Sequence, residues 1–406
     1  MKTAIFKSVS FIIVVAIVAT LNTYWWMPAS PPQSLSSVAT HLQTTDFVAR
    51  ISRPLTPRLD FADKNDLLHI ISKIQEDREQ NLSGIFHLIH LFGAEAQALN
   101  RDNSTTRLVD LILDGDSGKR YFKDGLVLAE TRWGLRFPEV DEWNLASQQR
   151  NTEAHPGQGL ATLATVGIPL TATIMMPGEE RRTVKQIVDD LQANFVLDGD
   201  IYWDVVALAI YLAPADKWTD KFGRTFSFDL IVDELIAREQ SNMLCAGTHG
   251  LIALTTLLRV DSETPILSPT HRDRLRRYLA QSVAQLVQSQ LPDGGWPRLW
   301  TTPHSEGKFV KVPVESIIQA TGHHLEWLIL LPQDLQPEPV ILENAARNLV
   351  RLLLTRVDNA AWRNKNFCPL VHAARSITLL AGHIPGDLIS QSLKESHVVS
   401  VDGDHE

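Results

Sequence analysis

The sequence has few cysteines and no concentration of basic residues, and each absence excludes a class of protein. Cys245 and Cys368 are its two cysteines in 406 residues, which is too few for a disulfide framework or a paired CxxC zinc site. It carries 38 basic and 47 acidic residues, for a net charge of -9. Because phosphate recognition depends on clustered positive charge, nucleic acid is not expected as a partner. A content of 44% hydrophobic and 21% charged residues excludes a disordered chain.

Charge is also absent between Lys7 and Asp46. Residues 9–27 within this region are largely apolar and reach the ~20 residues of a membrane span when the interfacial tyrosine and tryptophans at the end are counted. We expect a single-pass anchor in the cell membrane. Basic residues precede it, so residues 1–8 are expected in the cytoplasm and the main domain outside. A cleaved signal peptide at the same place is the alternative.

The rest of the chain divides by composition into three parts. Residues 28–60 are rich in proline, serine and threonine, which is typical of an extended linker. Residues 61–395 form the expected helical domain, and residues 396–406 are a short polar tail.

The helical domain contains two kinds of segment that alternate along the chain. The first kind is amphipathic, with apolar residues at three- and four-residue steps that indicate one buried face. These segments lie near 63–79, 105–114, 183–194, 227–239, 271–290 and 341–356. The second kind is apolar nearly all round and must be covered on every side. These segments begin at Leu82, Gly159, Ile201, His249, His324 and Pro369.

Six covered helices that each follow a half-exposed helix predict an all-α fold of the (α/α)6 toroid type, with an inner ring wrapped by an outer one. An irregular α-solenoid remains the alternative, because periodicity does not establish ring closure. Residues 120–137 alternate in the manner of β-strands around Asp124 and Gly125, and they predict one small hairpin inserted in the toroid.

The segment QLPDGGW at residues 290–296 resembles the Q-x3-G-x-W core of the QW motif of terpene cyclases and related toroids. The resemblance implies that Gln290 and Trp296 stabilise a helix end, where free backbone groups need partners. Trp296 is also kept as a candidate stacking surface for a substrate. The sequence lacks a DxDD-type acid motif, so cyclase activity is not expected.

Histidines lie near the predicted starts of the inner helices, where a parallel ring brings them to one mouth. They are His155, His249, His323 and His372. The positive end of a helix dipole favours neutral imidazole and lowers the pKa of a thiol, such as that of Cys245. We therefore take these histidines as candidate catalytic residues and Cys245 as a substrate contact. Each alone is also explained as a buried structural residue, and Cys245 has the further alternative of pairing with Cys368.

The segment TGHHLEW at residues 321–327 places His323 and Glu326 on one helix face, where the carboxylate can orient the imidazole or share an acid–base task. Glu326 is therefore also a candidate catalytic residue. It resembles the G-H-x-x-E motif of the N-acylglucosamine 2-epimerase family, and His372 with Arg375 resembles that family's later H-x-x-R motif. The resemblance implies that His323 and His372 exchange a proton at a sugar carbon, with Glu326 and Arg375 as substrate contacts. The two motifs are closer together here than in the family, and its amino-terminal arginine motif is not found.

Taken along the whole domain, segments such as CAGTH, QLPDGGW and CPLVHAARSITLL are similar to a group of exported bacterial proteins, common in planctomycetes, described as terpene cyclase- or prenyltransferase-like in shape. No activity follows from that resemblance. We expect a membrane-anchored toroid that binds, or transforms by acid–base chemistry, a carbohydrate-like small molecule. A noncatalytic scaffold and a terpenoid-binding toroid are the alternatives. No cofactor is implied, and His87 and His90 lack a nearby carboxylate that would complete a metal site.

Overall fold

The computed structural model of the protein describes residues 45–76, 81–99, 105–122, 127–138, 153–238, 244–301 and 312–391. The expected anchor at residues 9–27 and the polar tail lie outside these ranges. Within them, no helix combines the length and the apolar character that crossing a membrane requires.

The described chain is mostly helical, which confirms the expected all-α class. The helices are α1 (Thr45–Ser52), α2 (Lys64–Gln75), α3 (Leu82–Phe92), α4 (Asp110–Leu113), α5 (Gly115–Phe122), α6 (Gln158–Thr165), α7 (Val184–Asn194), α8 (Tyr202–Leu212), α9 (Phe228–Ala237), α10 (Thr248–Glu263), α11 (Pro269–Gln288), α12 (Val314–Leu328), α13 (Pro339–Leu354), α14 (Ala360–Lys365) and α15 (Phe367–Leu380). Two short 3-10 helices lie at Leu244–Gly247 and Gln333–Leu335.

Eight short strands pair as four separate antiparallel hairpins. They are β1 (Gln97–Leu99) with β2 (Thr105–Arg107), β3 (Ala129–Glu130) with β4 (Leu135–Arg136), β5 (Thr173–Met175) with β6 (Arg181–Thr183), and β7 (Lys217–Thr219) with β8 (Thr225–Ser227). Three of the hairpins connect an apolar helix to the amphipathic helix that follows it.

The six apolar helices pack against one another in a cyclic order. The order is α3, α6, α8, α10, α12 and α15, and α15 packs back against α3. Helix α8 illustrates why they occupy this position, since ten of its eleven residues are buried, all but Asp204. The amphipathic helices lie outside this cycle, where α7, α11 and α13 contact α8, α10 and α12 respectively.

Local sequence signals set several helix ends. Asn81 caps α3 by accepting a hydrogen bond from the Gly84 backbone N–H at 2.8 Å, and Gly93 ends the helix at a φ of 88° that favours glycine. Ser268 caps α11 immediately before Pro269, whose fixed φ suits the first turn of a helix.

Part of the predicted linker packs against the helical domain. Helix α1 buries Phe47, Val48 and Ile51, and the Leu55 backbone N–H donates to the Ile329 carbonyl at 2.8 Å. Pro54 and Pro57 made residues 45–60 resemble a linker, but three apolar side chains at helical spacing are enough to dock the segment.

The turn predicted at Asp124 and Gly125 lies outside the described residues, while one hairpin does lie within the predicted segment 120–137. Helix α5 covers residues up to Phe122, and the strands β3 and β4 turn at residues 131–134. The Thr131 hydroxyl oxygen accepts hydrogen bonds from the backbone N–H groups of Trp133 and Gly134, both at 3.0 Å, and so closes this turn. The expectation of a single hairpin was wrong, because short strands of two or three residues leave too little alternation to detect.

His323 and His324 do not open a helix, contrary to the sequence-based expectation. Helix α12 begins nine residues before His323, directly after Pro313. A proline before a helix is a usable start signal that the apolar pattern alone missed. His249, by contrast, does lie in the first turn of α10, and His155 does precede α6.

The QW-like segment stabilises helix ends. The Trp296 indole N–H donates to the Leu286 carbonyl near the end of α11 at 3.0 Å. The Gln290 side-chain amide donates to the carbonyls of Gly294 and Ile341, both at 2.9 Å. Backbone carbonyls at the end of one helix and the start of another thus gain partners.

Helices α12 and α15 approach most closely at Gly322. A Cβ placed there would lie 2.8 Å from the backbone N and Cα of Ala373. Gly322 and Ala373 are the immediate neighbours of His323 and His372, so the close approach of the two helices also brings these two histidines near each other.

We expect Gly322→Ala to destabilise the protein by about 1–3 kcal/mol, because the added methyl group forces two backbones apart. The sign of the change is informative, since the same substitution in an open helix interior stabilises by about 1 kcal/mol. Urea unfolding of the two proteins measures it, and a stabilised variant would contradict the close packing of α12 on α15.

Candidate functional site

A buried group of ionisable side chains lies where five of the six apolar helices meet, and we call it the histidine cluster. Its members are His87, His90, His155, Cys245, His249, His323, Glu326, Cys368, His372 and Arg375. Helices α3, α12 and α15 supply seven of them, the start of α10 supplies His249 with Cys245 just before it, and His155 precedes α6.

The imidazole rings of the cluster form a continuous series of contacts. His155 lies 4.6 Å from His249 between ring centroids, and His249 lies 5.7 Å from His323. The series continues to His372, whose ring lies 4.0 Å from that of His323 and 5.3 Å from that of His87. Helix α8 is the apolar helix that supplies no member of the cluster, but its Trp203 ring lies 5.1 Å from the His249 ring.

Glu326 connects three helices through its carboxylate. The His372 Nδ1–H donates to its Oε2 at 2.6 Å, and the His90 Nε2–H donates to its Oε1 at 3.1 Å. The Arg375 Nη1 donates to Oε1 at 3.3 Å, while the Arg375 Nε donates to the His90 carbonyl at 3.1 Å. We assign the protons on both imidazoles from their partner, because an ionised carboxylate only accepts.

The charges around Glu326 favour an ionised carboxylate beside neutral imidazoles. Burial raises the pKa of Glu326, but the His372 and His90 contacts outweigh it and the pKa lies well below its usual value. Burial also lowers the pKa of His372 well below its usual value, against the attraction of Glu326. A neutral His372 that donates from Nδ1 keeps a lone pair on Nε2, which is the state that a base requires.

Cys245 occupies a strained turn just before α10. Its φ is +50°, and the next residue, Ala246, has a φ of +62°, a left-handed conformation that costs roughly 1 kcal/mol or more for a residue other than glycine. Two hydrogen bonds hold the turn, from the Thr248 hydroxyl to the Cys245 carbonyl at 2.6 Å and from the Trp300 indole N–H to the Ala246 carbonyl at 2.9 Å.

The Cys245 thiol faces polar groups from three helices. A hydrogen bond from Cys368 is the largest cause of a strongly lowered pKa at Cys245, and His323 and His249 add to it. The pKa of Cys368 is raised well above its usual value by the same contact. Burial lowers the pKa of His323, but Cys245 and Glu326 outweigh it and the net shift is upward. The two cysteines are neighbours but remain free thiols.

His155 and His249 lie beside this thiol. The His155 Nδ1–H donates to Asp200 Oδ2 at 2.9 Å, which leaves Nε2 available. His249 is 2% exposed, and its Nδ1 is a buried atom without a hydrogen-bond partner. Burial also lowers its pKa, against the attraction of Cys245.

The structure brings together all but one of the residues nominated from the sequence. His155, His249, His323 and His372 lie in the cluster with Glu326, as do Cys245 and Arg375. Trp296 is the exception, since its ring contacts His324 at 5.9 Å and its indole N–H is used at the helix end. It therefore serves as a structural residue rather than a stacking surface of the cluster.

Three residues in or beside the cluster were not predicted from the sequence as site residues. His90 was considered only with His87, and its carboxylate partner, Glu326, lies 236 positions away. Asp200, which accepts the hydrogen bond of His155, lies 45 positions away from it and carries no sequence signal that pairs the two. Gln319, whose amide lies 3.7 Å from the Cys245 sulfur, gave no signal beyond lying four residues before His323.

Side-chain atoms that could bind a metal ion come together in three groups among the described residues. They are His155 with Cys245 and His249, His87 with Cys368 and His372, and His90 with Glu326 and His372. In each group the ligand atoms lie within 4.8 Å of one another.

Comparison with known proteins does not assign the chain to a family. No protein-family model matches it, and no solved structure matches it. Short similarities exist to Small integral membrane protein 12 of Mus musculus, 42% identical over 50 residues, which is 12% of this chain and 54% of that protein. The Bos taurus protein of the same name is 40% identical over 45 residues, 11% of this chain and 46% of its own length. The chain thus spans about half the length of the curated relatives it matches.

The buried histidines make stability depend on pH in a defined window. Burial lowers the pKa of His87 to about 4, against its hydrogen bond to the Ser83 carbonyl, and that of His324 to about 3. The groups that face His87 are His90, His155, His323, His372 and Cys368. Below pH ~6.5 the unfolded chain binds protons that these two side chains do not accept when folded.

We expect the free energy of unfolding to fall as the pH is lowered from about 6.5 towards 4, where the folded His87 begins to titrate. Each such histidine contributes up to about 1.4 kcal/mol per pH unit. His87→Gln should reduce this slope, measured by urea unfolding at a series of pH values. His69→Gln is the matched control, because that side chain is 42% exposed. Equal slopes in the wild type and His87→Gln would contradict a neutral, buried His87.

Proposed function

We propose that the protein is a membrane-attached α/α toroid that binds a carbohydrate-like small molecule and transforms it by proton transfer at His372. The observation that carries this proposal is the convergence of the two epimerase-like motifs on Glu326. Glu326 of α12 contacts both His372 and Arg375 of α15, and His323 of α12 packs on the His372 ring.

The cyclic packing order supports the toroid architecture. Each apolar helix packs against the next, and the last packs against the first. An open solenoid would leave its first and last repeats without such a contact. The separate outer contacts of α7, α11 and α13 fit an outer layer of helices.

The environment of His372 supports a role as the base. Glu326 holds the ring through Nδ1, and His323 packs 4.0 Å from it between centroids. Orientation of a neutral imidazole by a carboxylate is a recurring arrangement for general base catalysis. In the proposed step, His372 Nε2 takes a proton from a carbon beside the substrate carbonyl and becomes imidazolium. Return of a proton from His372 to the same face of that carbon regenerates the neutral base, and exchange of the imidazolium proton with solvent before this return replaces the carbon-bound hydrogen.

Several cluster members are accessible enough to meet a ligand. The side chain of His90 is 15% exposed, and those of Arg375 and His155 are each 13% exposed. Arg375 and the imidazole N–H groups are hydrogen-bond donors that suit hydroxyl and carbonyl oxygens. A purely structural role for the histidines predicts separate hydrogen bonds rather than this shared contact series.

The proposed reaction predicts exchange of a substrate carbon-bound hydrogen with solvent. The full-length protein is incubated in D₂O with a panel of aldoses, ketoses and N-acyl amino sugars, and deuterium incorporation is followed by NMR. We expect His372→Gln to lower the exchange rate at least 100-fold, because general base catalysis contributes 10²- to 10⁴-fold.

The control for this experiment is His69→Gln, which removes an imidazole outside the cluster. It should retain the wild-type rate. If no sugar in the panel exchanges deuterium or shifts the thermal unfolding midpoint, the noncatalytic scaffold becomes the better description of the domain.

Attachment to the membrane through residues 9–27 is the second part of the proposal. The uncharged apolar run supports it. The curated relatives that share a short similar segment with the chain are named as integral membrane proteins. With basic residues before the run, the helical domain lies outside the cytoplasm.

We expect the full-length chain to sediment with membranes at its complete mass of 45.4 kDa. Replacing Val14 and Ile17 by lysine should release it or prevent export, since each central lysine costs about 2.5–3.5 kcal/mol on insertion. Ser36→Lys with Ser37→Lys, outside the apolar run, is the matched control. A shortened, soluble wild-type chain would instead demonstrate a cleaved signal peptide.

A further inference from the structure

A second chemical feature lies at the other end of the histidine cluster from Glu326. His155, Cys245 and His249 each present one nitrogen or sulfur atom, and the three atoms lie within 4.8 Å of one another. In a tetrahedral zinc site, ligands of these types are separated by roughly 3.4–3.7 Å, from metal–ligand lengths of ~2.0–2.1 Å for nitrogen and ~2.3 Å for sulfur. The three ligand atoms therefore need to approach one another by about an ångström to surround an ion.

We propose that His155, Cys245 and His249 bind a zinc ion whose fourth coordination position is open to a water molecule or a substrate oxygen. Three protein ligands and one exchangeable position are the arrangement of catalytic rather than structural zinc. The inference stands on its own residues and does not depend on the proton-transfer function proposed for His372.

The first independent observation is an unused nitrogen. His249 is 2% exposed, and its Nδ1 has no hydrogen-bond partner. A buried polar atom without a partner costs free energy. The ring therefore has coordinating capacity that the surrounding protein leaves unsatisfied.

The second observation is the support of His155 by a carboxylate. Asp200 Oδ2 accepts a hydrogen bond from the His155 Nδ1–H at 2.9 Å, which directs the lone pair to Nε2. Histidines that bind metals almost always donate their other ring N–H to a carboxylate, a carbonyl or water. Asp200 thus occupies the position of an orienting residue rather than of a ligand.

The third observation is the backbone at Cys245. The residue has a φ of +50°, and the hydrogen bonds of Thr248 and Trp300 hold the turn in place. A cysteine in this strained conformation persists because the surroundings impose it. The turn places its sulfur beside His249, one helical turn further along the chain, and both His155 and Cys245 are accessible enough for an ion to enter.

The other two candidate metal groups are less suited to a cation. Neither offers a nitrogen like His249 Nδ1, because no ring nitrogen of His87, His90 or His372 is among the described buried atoms without a hydrogen-bond partner. In the group of His90, Glu326 and His372, both imidazoles already donate to the carboxylate. Glu326 in turn lies 3.3 Å from Arg375, so its charge is compensated and a second cation there would meet a guanidinium. The donor set of the first trio, two imidazoles and one thiolate, favours zinc over magnesium or calcium, which prefer oxygen ligands.

The test uses the full-length protein purified in detergent from cells grown with added zinc. Metal content is measured by inductively coupled plasma mass spectrometry, and we expect about one zinc per chain. Cys245→Ser and His249→Ala should retain less than a tenth of that amount. Asp200→Asn should bind zinc 10- to 100-fold more weakly, as expected for loss of an orienting partner. His69→Ala should match the wild type.

Cobalt replacement identifies the ligands even where a variant binds zinc elsewhere. After removal of zinc with a chelator, the wild type with Co²⁺ should show a sulfur-to-cobalt charge-transfer band and the intense visible bands of a four-coordinate ion. Cys245→Ser should lose the charge-transfer band, whereas Cys368→Ser should keep it. Far-UV circular dichroism checks that the variants remain folded.

Three outcomes would overturn the assignment. The wild type could lack stoichiometric metal and show no cobalt charge-transfer band. The band could disappear in Cys368→Ser and persist in Cys245→Ser, which would show that Cys368 rather than Cys245 binds the metal. An intense visible sulfur-to-copper band in the isolated protein would identify the bound metal as copper rather than zinc. None of these measurements involves a sugar, so they are independent of the deuterium-exchange result.

Discussion

The buried carboxylate of Glu326 is the group on which the arrangement of the cluster depends. An ionised carboxylate in the interior is costly unless it is paired and hydrogen-bonded. Here Arg375 compensates the charge, and His90 and His372 fill the remaining acceptor positions. These partners come from α3 and α15, while Glu326 itself is on α12, so one side chain fixes three helices relative to one another.

The same arrangement divides the cluster into two chemical environments. Around Glu326, a compensated negative charge holds neutral imidazoles in defined orientations, which favours proton transfer by His372. Around Cys245, a thiol and two imidazoles converge without a permanent cation among the contacts described, which favours a bound metal. His323 lies between the two, with its ring centroid 4.0 Å from that of His372 and 5.7 Å from that of His249.

Packing density is what allows these rings to meet. Gly322 brings α12 against Ala373 of α15 at backbone contact distance, and the imidazoles of the adjoining residues, His323 and His372, follow from that approach. The Trp296 and Gln290 hydrogen bonds act at a distance from the chemistry by fixing helix ends. Such residues shape the site without touching a ligand, and this explains why a sequence motif linked to a family of toroids carries no information about activity.

The sequence by itself determined the all-α class, the alternation of exposed and covered helices, and most of the histidines of the cluster, because hydrophobic periodicity and burial are local properties. It missed three of the four hairpins in the described residues and the start of α12, where short strands and a single proline gave weak signals. The partners of the histidines were decided by tertiary structure. His90 and Glu326 are 236 positions apart, and His155 and Asp200 are 45 apart. No periodicity links such pairs, since only the packing of separate helices around a common centre brings a carboxylate to a particular ring nitrogen.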